Sequence, residues 1–265
     1  MDVHKITLFG GYGKDGSIEK INEFSLEIGD IVSIVGPTGC GKTTLINDIE
    51  LFANKNTPSG RQVLINDETV SEDFIFDPSH HPIALISQHT NFLSDLPVGE
   101  FLTTHAKVRG ATEIDVIIQE TLDFANQLTG EAINHEIAMT ELSGGQTRSL
   151  LIADAVIIGN APIILLDEIE NAGIHRSKAL ELLKKYKKIF VFVTHDPCIA
   201  LMSDFRIVMK NGAMQQLIAT SSEEKKAAYK MKQIDDLMLE FRNIIRIGNE
   251  LTESVFNDNF KVLTF

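Results

Sequence analysis

Apolar residues along this chain recur with two periods. An apolar, β-branched run bounded by glycines at Asp30–Val35 (D-I-V-S-I-V) predicts a buried strand, Pro162–Asp167 (P-I-I-L-L-D) reads as a second, and residues 189–194 and 205–210 supply further strands. Shorter alternating patterns over 1–35 and 60–70, including S-G-R-Q-V-L-I-N at 59–66, predict further strands. Apolar spacing predicts a helix over Lys42–Ala53, and Gln146–Ile158 is a further candidate helix. From about Asn91 to Ile158 the reading is helical, carried by V-G-E-F-L-T-T-H-A-K and T-E-I-D-V-I-I-Q-E-T-L-D-F-A-N, with Thr112 as a helix start ahead of Glu113 and Asp115. From Ser222 to Ile247 there is no Gly or Pro, and Ile234, Leu237, Met238, Phe241, Ile244 and Ile245 form one apolar stripe. Such a stripe packs on its own core or docks a partner, and Gly248 is placed to end the helix. Asn257–Phe265 is too mixed to assign.

Composition narrows the class. With 265 residues, 43% of them hydrophobic, the chain buries a sizeable core. A formal charge of −13 argues against broad nucleic-acid binding, which needs basic patches. Met1–Gly10 has no signal-like apolar core, and no uninterrupted apolar stretch is long enough to span a bilayer, so the expected location is cytoplasmic. Two cysteines without a framework fit a reducing compartment.

The chemistry begins at Gly36–Thr43, G-P-T-G-C-G-K-T, between the strand at Asp30–Val35 and the helix from Lys42. Glycines at 36, 39 and 41 let backbone N–H groups converge on phosphate oxygens, and the helix start adds partial positive charge. Lys42 reaches β/γ-phosphates in such a loop, and the Thr43 hydroxyl is a ligand for Mg²⁺. The nucleotide-binding segment is therefore Gly36, Pro37, Thr38, Gly39, Cys40, Gly41, Lys42, Thr43 and Thr44. Asp167 ends a strand where an open parallel sheet presents ligands, and is a second Mg²⁺ candidate, through water. Glu168, next to it, is placed to orient or deprotonate attacking water. A plain glycine turn and a solvated acidic pair are the bland alternatives, and their joint occurrence in this context weakens both. The histidines His80, His81, His89 and His195, the last close to Cys198, lack the four spaced ligands of a structural zinc site.

Leu142–Gln146, L-S-G-G-Q, is a second anion-receptive segment at a predicted helix start. With these motifs in this order the chain resembles the ATP-binding cassette ATPases across most of residues 1–220. The resemblance implies an α/β fold: a P-loop NTPase (RecA-like) core, an antiparallel β subdomain and a helical subdomain at about 91–158. A helical extension follows over 221–265. It also implies that two subunits pack head to tail, so that Ser143, Gly144, Gly145 and Gln146 close on ATP held by the neighbour. Gln88, in I-A-L-I-S-Q-H, resembles the family's glutamine that senses Mg²⁺ and water. His195, in F-V-F-V-T-H-D, resembles the switch histidine that touches the γ-phosphate. Tyr12 stands near where the family often stacks an aromatic on adenine, although aromatics before a strand also serve packing. Implied cofactors are ATP and Mg²⁺, and implied catalytic residues are Lys42, Gln88, Glu168 and His195.

Two departures stand out. After Glu168 the family has a proline and then a serine–alanine–leucine–aspartate turn, where this chain has Ile169, Glu170, Asn171, Ala172, Gly173 and Ile174. Asp154 stands where the helix after the signature commonly carries arginine. Hydrolysis is expected to survive both, with unusual communication between sites. Two functions remain: the energy-coupling subunit of a membrane transporter, peripheral to the inner membrane face through a permease partner, or a soluble ATPase whose homodimer or related-subunit dimer remodels a protein, metallocofactor or nucleoprotein assembly. Family usage favours transport, by analogy. A phosphate-passing kinase leaves Leu142–Gln146 unexplained.

Overall fold

The computed structural model describes residues 2–71, 81–87, 90, 92, 94–169, 174 and 176–260. A six-stranded sheet is built from β3 (Ile31–Val35), β5 (Ile83–Ile86), β6 (Ile163–Asp167), β7 (Ile189–Val193), β8 (Phe205–Lys210) and β9 (Ala213–Ala219), in the order β5-β6-β7-β3-β8-β9. All neighbours pair in parallel except β8 and β9. Strands buried on both faces need apolar residues at successive positions, and the central β7 (I-F-V-F-V) and β6 up to Leu166 have them. Ile163, Leu165, Val191 and Val193 feed one core, while Ile164, Leu166, Phe190 and Phe192 feed the other.

The first core is closed by α1 (Lys42–Glu50) and by an antiparallel sheet of β1 (Lys5–Phe9), β2 (Glu23–Glu27) and β4 (Gln62–Ile65), in the order β2-β1-β4. The second core is closed by α2 (Val98–Val108), α3 (Ile114–Leu128), α4 (Gly144–Val156), α5 (Arg176–Leu183) and α6 (Pro197–Met202). This is the expected α/β architecture of a P-loop core flanked by an antiparallel β part and a helical part. Among the described residues, no helix is long and apolar enough to cross a membrane.

Several boundaries differ from the sequence expectation, each for a local reason. The helix expected to reach Ala53 stops at Glu50, because Phe52 takes a left-handed φ of 49° and the chain turns back toward β4. Thr112 does not cap α3; Glu113 occupies that position with no side-chain hydrogen bond. The helix expected at Gln146–Ile158 begins two residues earlier, where Ser143 makes a capping box with Gln146, and ends at Val156. Strand β9 was not anticipated. Its signal is Asn211–Gly212 directly after β8: both residues have positive φ (51° and 81°), as a two-residue hairpin turn requires.

At the C-terminal side, α7 (Ser222–Arg246) starts with a Ser221/Glu224 capping box. It ends as Gly248 donates to the Ile245 carbonyl and Asn249 to that of Ile244, the paired closure of a Schellman motif. Leu237 and Phe241 of the predicted stripe are buried, whereas Ile234, Met238 and Ile245 remain exposed. The unassigned end is partly helical: α8 (Glu253–Phe260) lays Phe256 on Phe241 with ring centroids 5.1 Å apart.

Candidate active site

The loop between β3 and α1 is shaped by contacts that only glycine permits at two points. A Cβ on Gly36 would lie 2.5 Å from the Met209 carbonyl oxygen, and one on Gly41 would lie 2.8 Å from the Cα of Gly212. Gly41, at φ 100°, is the N-cap of α1, and no side chain caps that helix start. Its first amides thus keep the capacity to receive an anion. Cys40 is buried behind the loop, while Pro37, Thr38, Gly39, Thr43 and Thr44 are exposed on it.

Lys42 is buried, and its ammonium donates to the carbonyls of Gly36 at 3.0 Å and Pro37 at 3.3 Å. It also lies 3.0 Å from His195 Nε2. An ammonium has no lone pair, so in that contact Nε2 accepts and the ring proton resides on Nδ1. The same Nε2 is 3.5 Å from Glu168 Oε1. Three residues from three elements, singled out separately in the sequence, therefore meet at one point.

Glu168 reaches that point because its amide donates to the Val193 carbonyl at 2.9 Å, extending the pairing of β6 and β7 by one residue. It does so with φ of 49°, in the left-handed region that a glutamate seldom occupies. His195 is positioned by the next two residues: Asp196 caps α6 by accepting from the Ile199 amide, and Pro197 opens that helix. Asp167 ends β6. Its charge opposes the downward pull that burial exerts on the Arg148 guanidinium of α4.

These side chains border a cavity of about 440 Å³ lined by Thr38, Gly39, Gly41, Lys42, Thr43, Thr44, Asp167, Glu168 and His195, with Lys14, Ser87 and Val193. A larger cleft of about 730 Å³ between α3 and α5 is bordered by Asp115, Glu120, Asp123 and Lys185. It has no glycine-rich loop and no convergent N–H groups, so the smaller cavity is the one suited to phosphate chemistry. Lys14 was missed by sequence reasoning. It comes from the loop after β1, donates to the Gly39 carbonyl at 2.8 Å, and adds a second cation to the cavity rim.

The Ser143 segment lies elsewhere. Ser143 and Gly144 are exposed at the start of α4, and neither borders the cavity. Ser143 accepts from the Gln146 amide, while the Gln146 side chain accepts from the Ser143 amide and donates to the Ala132 carbonyl. Tyr12 is 52% exposed, packs against Gly60 and does not border the cavity. Gln88, His80, His89 and residues 170–173 lie outside the described residues.

A family model described as ABC transporter matches residues 20–171, more than half of the chain. The chain belongs to the ABC transporter family of ATP-binding proteins. It is 48% identical over 252 residues to an uncharacterized ABC transporter ATP-binding protein of Methanocaldococcus jannaschii, covering 95% of this chain and 96% of that one. A sulfate/thiosulfate import ATP-binding protein of Agrobacterium fabrum is 30% identical over 74% of this chain, which spans only 58% of that protein's length. Among solved structures, a dimeric post-hydrolysis ATP-binding cassette bound to ADP and Pi is 27% identical, with a TM-score of 0.61 over 82% of this chain and 99% of that one. A Clostridium perfringens cassette that is part of an ABC transporter complex covers 93% of this chain with a TM-score of 0.61; at 20% identity it speaks for the fold alone. As a member of this family the chain binds and hydrolyses ATP. In this cassette the buried Lys42 meets the more accessible Glu168 and His195 at one point, and its ammonium also donates to two loop carbonyls.

Proposed function

We propose that this cassette pairs head to tail with a second copy or a related cassette. In that pairing Ser143, Gly144, Gly145 and Gln146 close on ATP held by the other subunit's phosphate loop, and the closing motion drives a membrane transporter. One observation carries the pairing: the Ser143 segment is an exposed helix start outside the cavity that Lys42 borders. A single copy thus offers two separate anion-receptive surfaces. The dimeric form of the cassette solved with ADP and Pi supports the same reading.

The catalytic unit is residues 1–220, with the helical subdomain at about 91–158 and an extension over 221–265. Lys42 exchanges the Gly36 and Pro37 carbonyls for phosphate oxygens, which relieves its hold on His195. Glu168 orients or deprotonates the attacking water, and His195 braces the γ-phosphate. Lys14 adds positive charge at the rim. Thr43 hydroxyl and Asp167 carboxylate, both bordering the cavity, are hard oxygen donors of the kind Mg²⁺ takes, with Gln88 as the third candidate. When bound, Mg²⁺ neutralises phosphate charge that builds up in phosphoryl transfer. Tyr12 contacts adenine in this reading, its exposed ring covering the base. On this reading the protein works in the cytoplasm, held at the membrane's inner face by a permease partner.

Glu168→Gln tests this reading. With ATP the variant is expected to accumulate as a dimer on size exclusion, with turnover lowered about 10³-fold. Purified from membrane and soluble fractions separately, it should bring down a polytopic membrane protein in stoichiometric amount. A monomer that turns over at the wild-type rate would remove both the pairing and the role of Glu168. A soluble partner alone would replace transport with remodelling.

A further inference from the structure

Between the antiparallel sheet and the parallel core lies a cluster of charge with no solvent. Arg61 is 0% exposed, and Glu19 and Asp48 are nearly as deeply buried. Four donor bonds leave the Arg61 guanidinium: Nε to Glu19 Oε2 at 3.1 Å, Nη2 to Glu19 Oε1 at 2.7 Å, Nη1 to Asp48 Oδ2 at 2.8 Å, and Nη2 to the Gly212 carbonyl at 2.6 Å. The carboxylates are satisfied in turn. Glu19 accepts from the Gly11 and Met214 amides, and Asp48 from the Ser59 hydroxyl. A buried ion cluster with every member bonded fixes geometry tightly, whatever it adds to stability.

What it fixes is the phosphate loop. Asp48 is on α1, less than two turns after Lys42, so anchoring it sets the rotation of the helix that presents Lys42 and Thr43. The Gly212 amide donates to the Cys40 carbonyl at 2.7 Å, and Gly41 packs on the Gly212 Cα. Arg61 is therefore one residue and two hydrogen bonds from the loop. On the other side, Glu19 ties down the segment from Gly11 that carries Lys14, whose amide donates to the Asn211 carbonyl. Arg61 touches no cavity-lining surface, yet it braces three of the segments that build the cavity wall.

We propose that Arg61 is a positioning residue for nucleotide binding, acting through Asp48, Gly212 and Glu19 to hold the phosphate loop and the Lys14 segment at a fixed separation. The proposal rests on the reading that ATP phosphates sit against Lys42 and the loop amides. Glu168 and His195 follow the ends of β6 and β7, outside the braced segments. Loss of the brace should therefore weaken binding more than chemistry.

Arg61→Lys keeps the charge but cannot reproduce the planar fork. The expected result is a folded protein whose KM for MgATP and calorimetric dissociation constant both rise about tenfold, with kcat at saturating ATP within about threefold of wild type. Asp48→Asn, which keeps the Arg61–Glu19 pair, should shift both constants in the same direction by a smaller factor, and carries the test if Arg61→Lys does not fold. A purely structural role predicts a lower melting temperature and a reduced active fraction with an unchanged KM; that result, or a fall confined to kcat, overturns the proposal. If the wild-type protein itself binds MgATP no better than its Lys42→Ala variant, the reading of the site fails instead, which calorimetry distinguishes directly.

Discussion

Two helix starts in this molecule are built from the same materials and prepared for different tasks. The start of α1 is left uncapped by side chains, lies in a cavity, and has Lys42 and Lys14 beside it. The start of α4 is closed on itself by the Ser143–Gln146 capping box, is exposed, and shares no cavity with either lysine. A helix start attracts anions through its unpaired amides and its dipole, but cations and enclosure decide how firmly it holds one. The first is equipped to bind a polyphosphate within one chain. The second has its local hydrogen bonds in order, and in the proposed pairing it meets a phosphate carried by the other subunit.

The largest effect is expected where the first start depends on one side chain. Lys42→Ala should lower ATP affinity about 10²-fold or more, since it deletes the cation that the loop is folded around. Isothermal calorimetry checks this, and unchanged affinity would erase the distinction between the two starts. Ser143→Asp then isolates the second. Aspartate is as good an N-cap as serine, so α4 should keep its stability, but in the proposed pairing the new charge would face the phosphate of a partner's nucleotide. ATP affinity of the single chain should stay within about twofold, while turnover falls roughly 10²-fold. Equal losses in both measurements would mean that α4 acts on the ATP of its own chain.

A third change should leave the comparison untouched while shifting stability. Lys188 is buried before β7, with Asn160 Oδ1 accepting from it at 2.7 Å, and burial pushes its pKa down from 10.5 to about 8. Below pH 8 the lysine is charged in both folded and unfolded chains, and the cost of burying that charge is fully present. As pH rises from about 8 toward 10.5 the folded chain sheds the proton first, so this cost fades. Lys188→Met should raise stability at pH 7 by roughly 1–3 kcal/mol, and the gain should shrink toward pH 10.5. Thermal melts across that range check the sign. ATP affinity should not change, so a shift there would show that general stability, rather than local equipment, governs the helix starts.

The fold was legible in the sequence wherever a local pattern sufficed. The runs at Asp30–Val35 and Pro162–Asp167 are apolar at nearly every position because both faces of their strands are covered, and they were found within a residue of β3 and β6. The meeting of Lys42, Glu168 and His195 was foreseeable from motifs that each sit at the end of such a strand. Strand β9 was readable from Asn211–Gly212 and was passed over, since its residues beyond Met214 are mixed and half-exposed. Lys14 and Arg61 were not readable. An arginine between Gly60 and Gln62 looks like a surface residue of an alternating strand. Only the docking of the antiparallel sheet on α1 removes it from water. The C-terminal stripe shows the converse: its period announces a helix, but period alone does not say that Leu237 and Phe241 are covered while Met238 is not.

The backbone at Glu168 has a consequence for how such a protein can be improved. A side chain held at φ 49° costs about 1 kcal/mol or more relative to glycine, which adopts that angle freely. Libraries screened for heat resistance or expression alone would therefore reward loss of the carboxylate that we propose acts on water, and on that proposal the most robust descendants would be inert. Thermostability engineering of this cassette needs position 168 held constant, with selection for turnover applied alongside selection for survival.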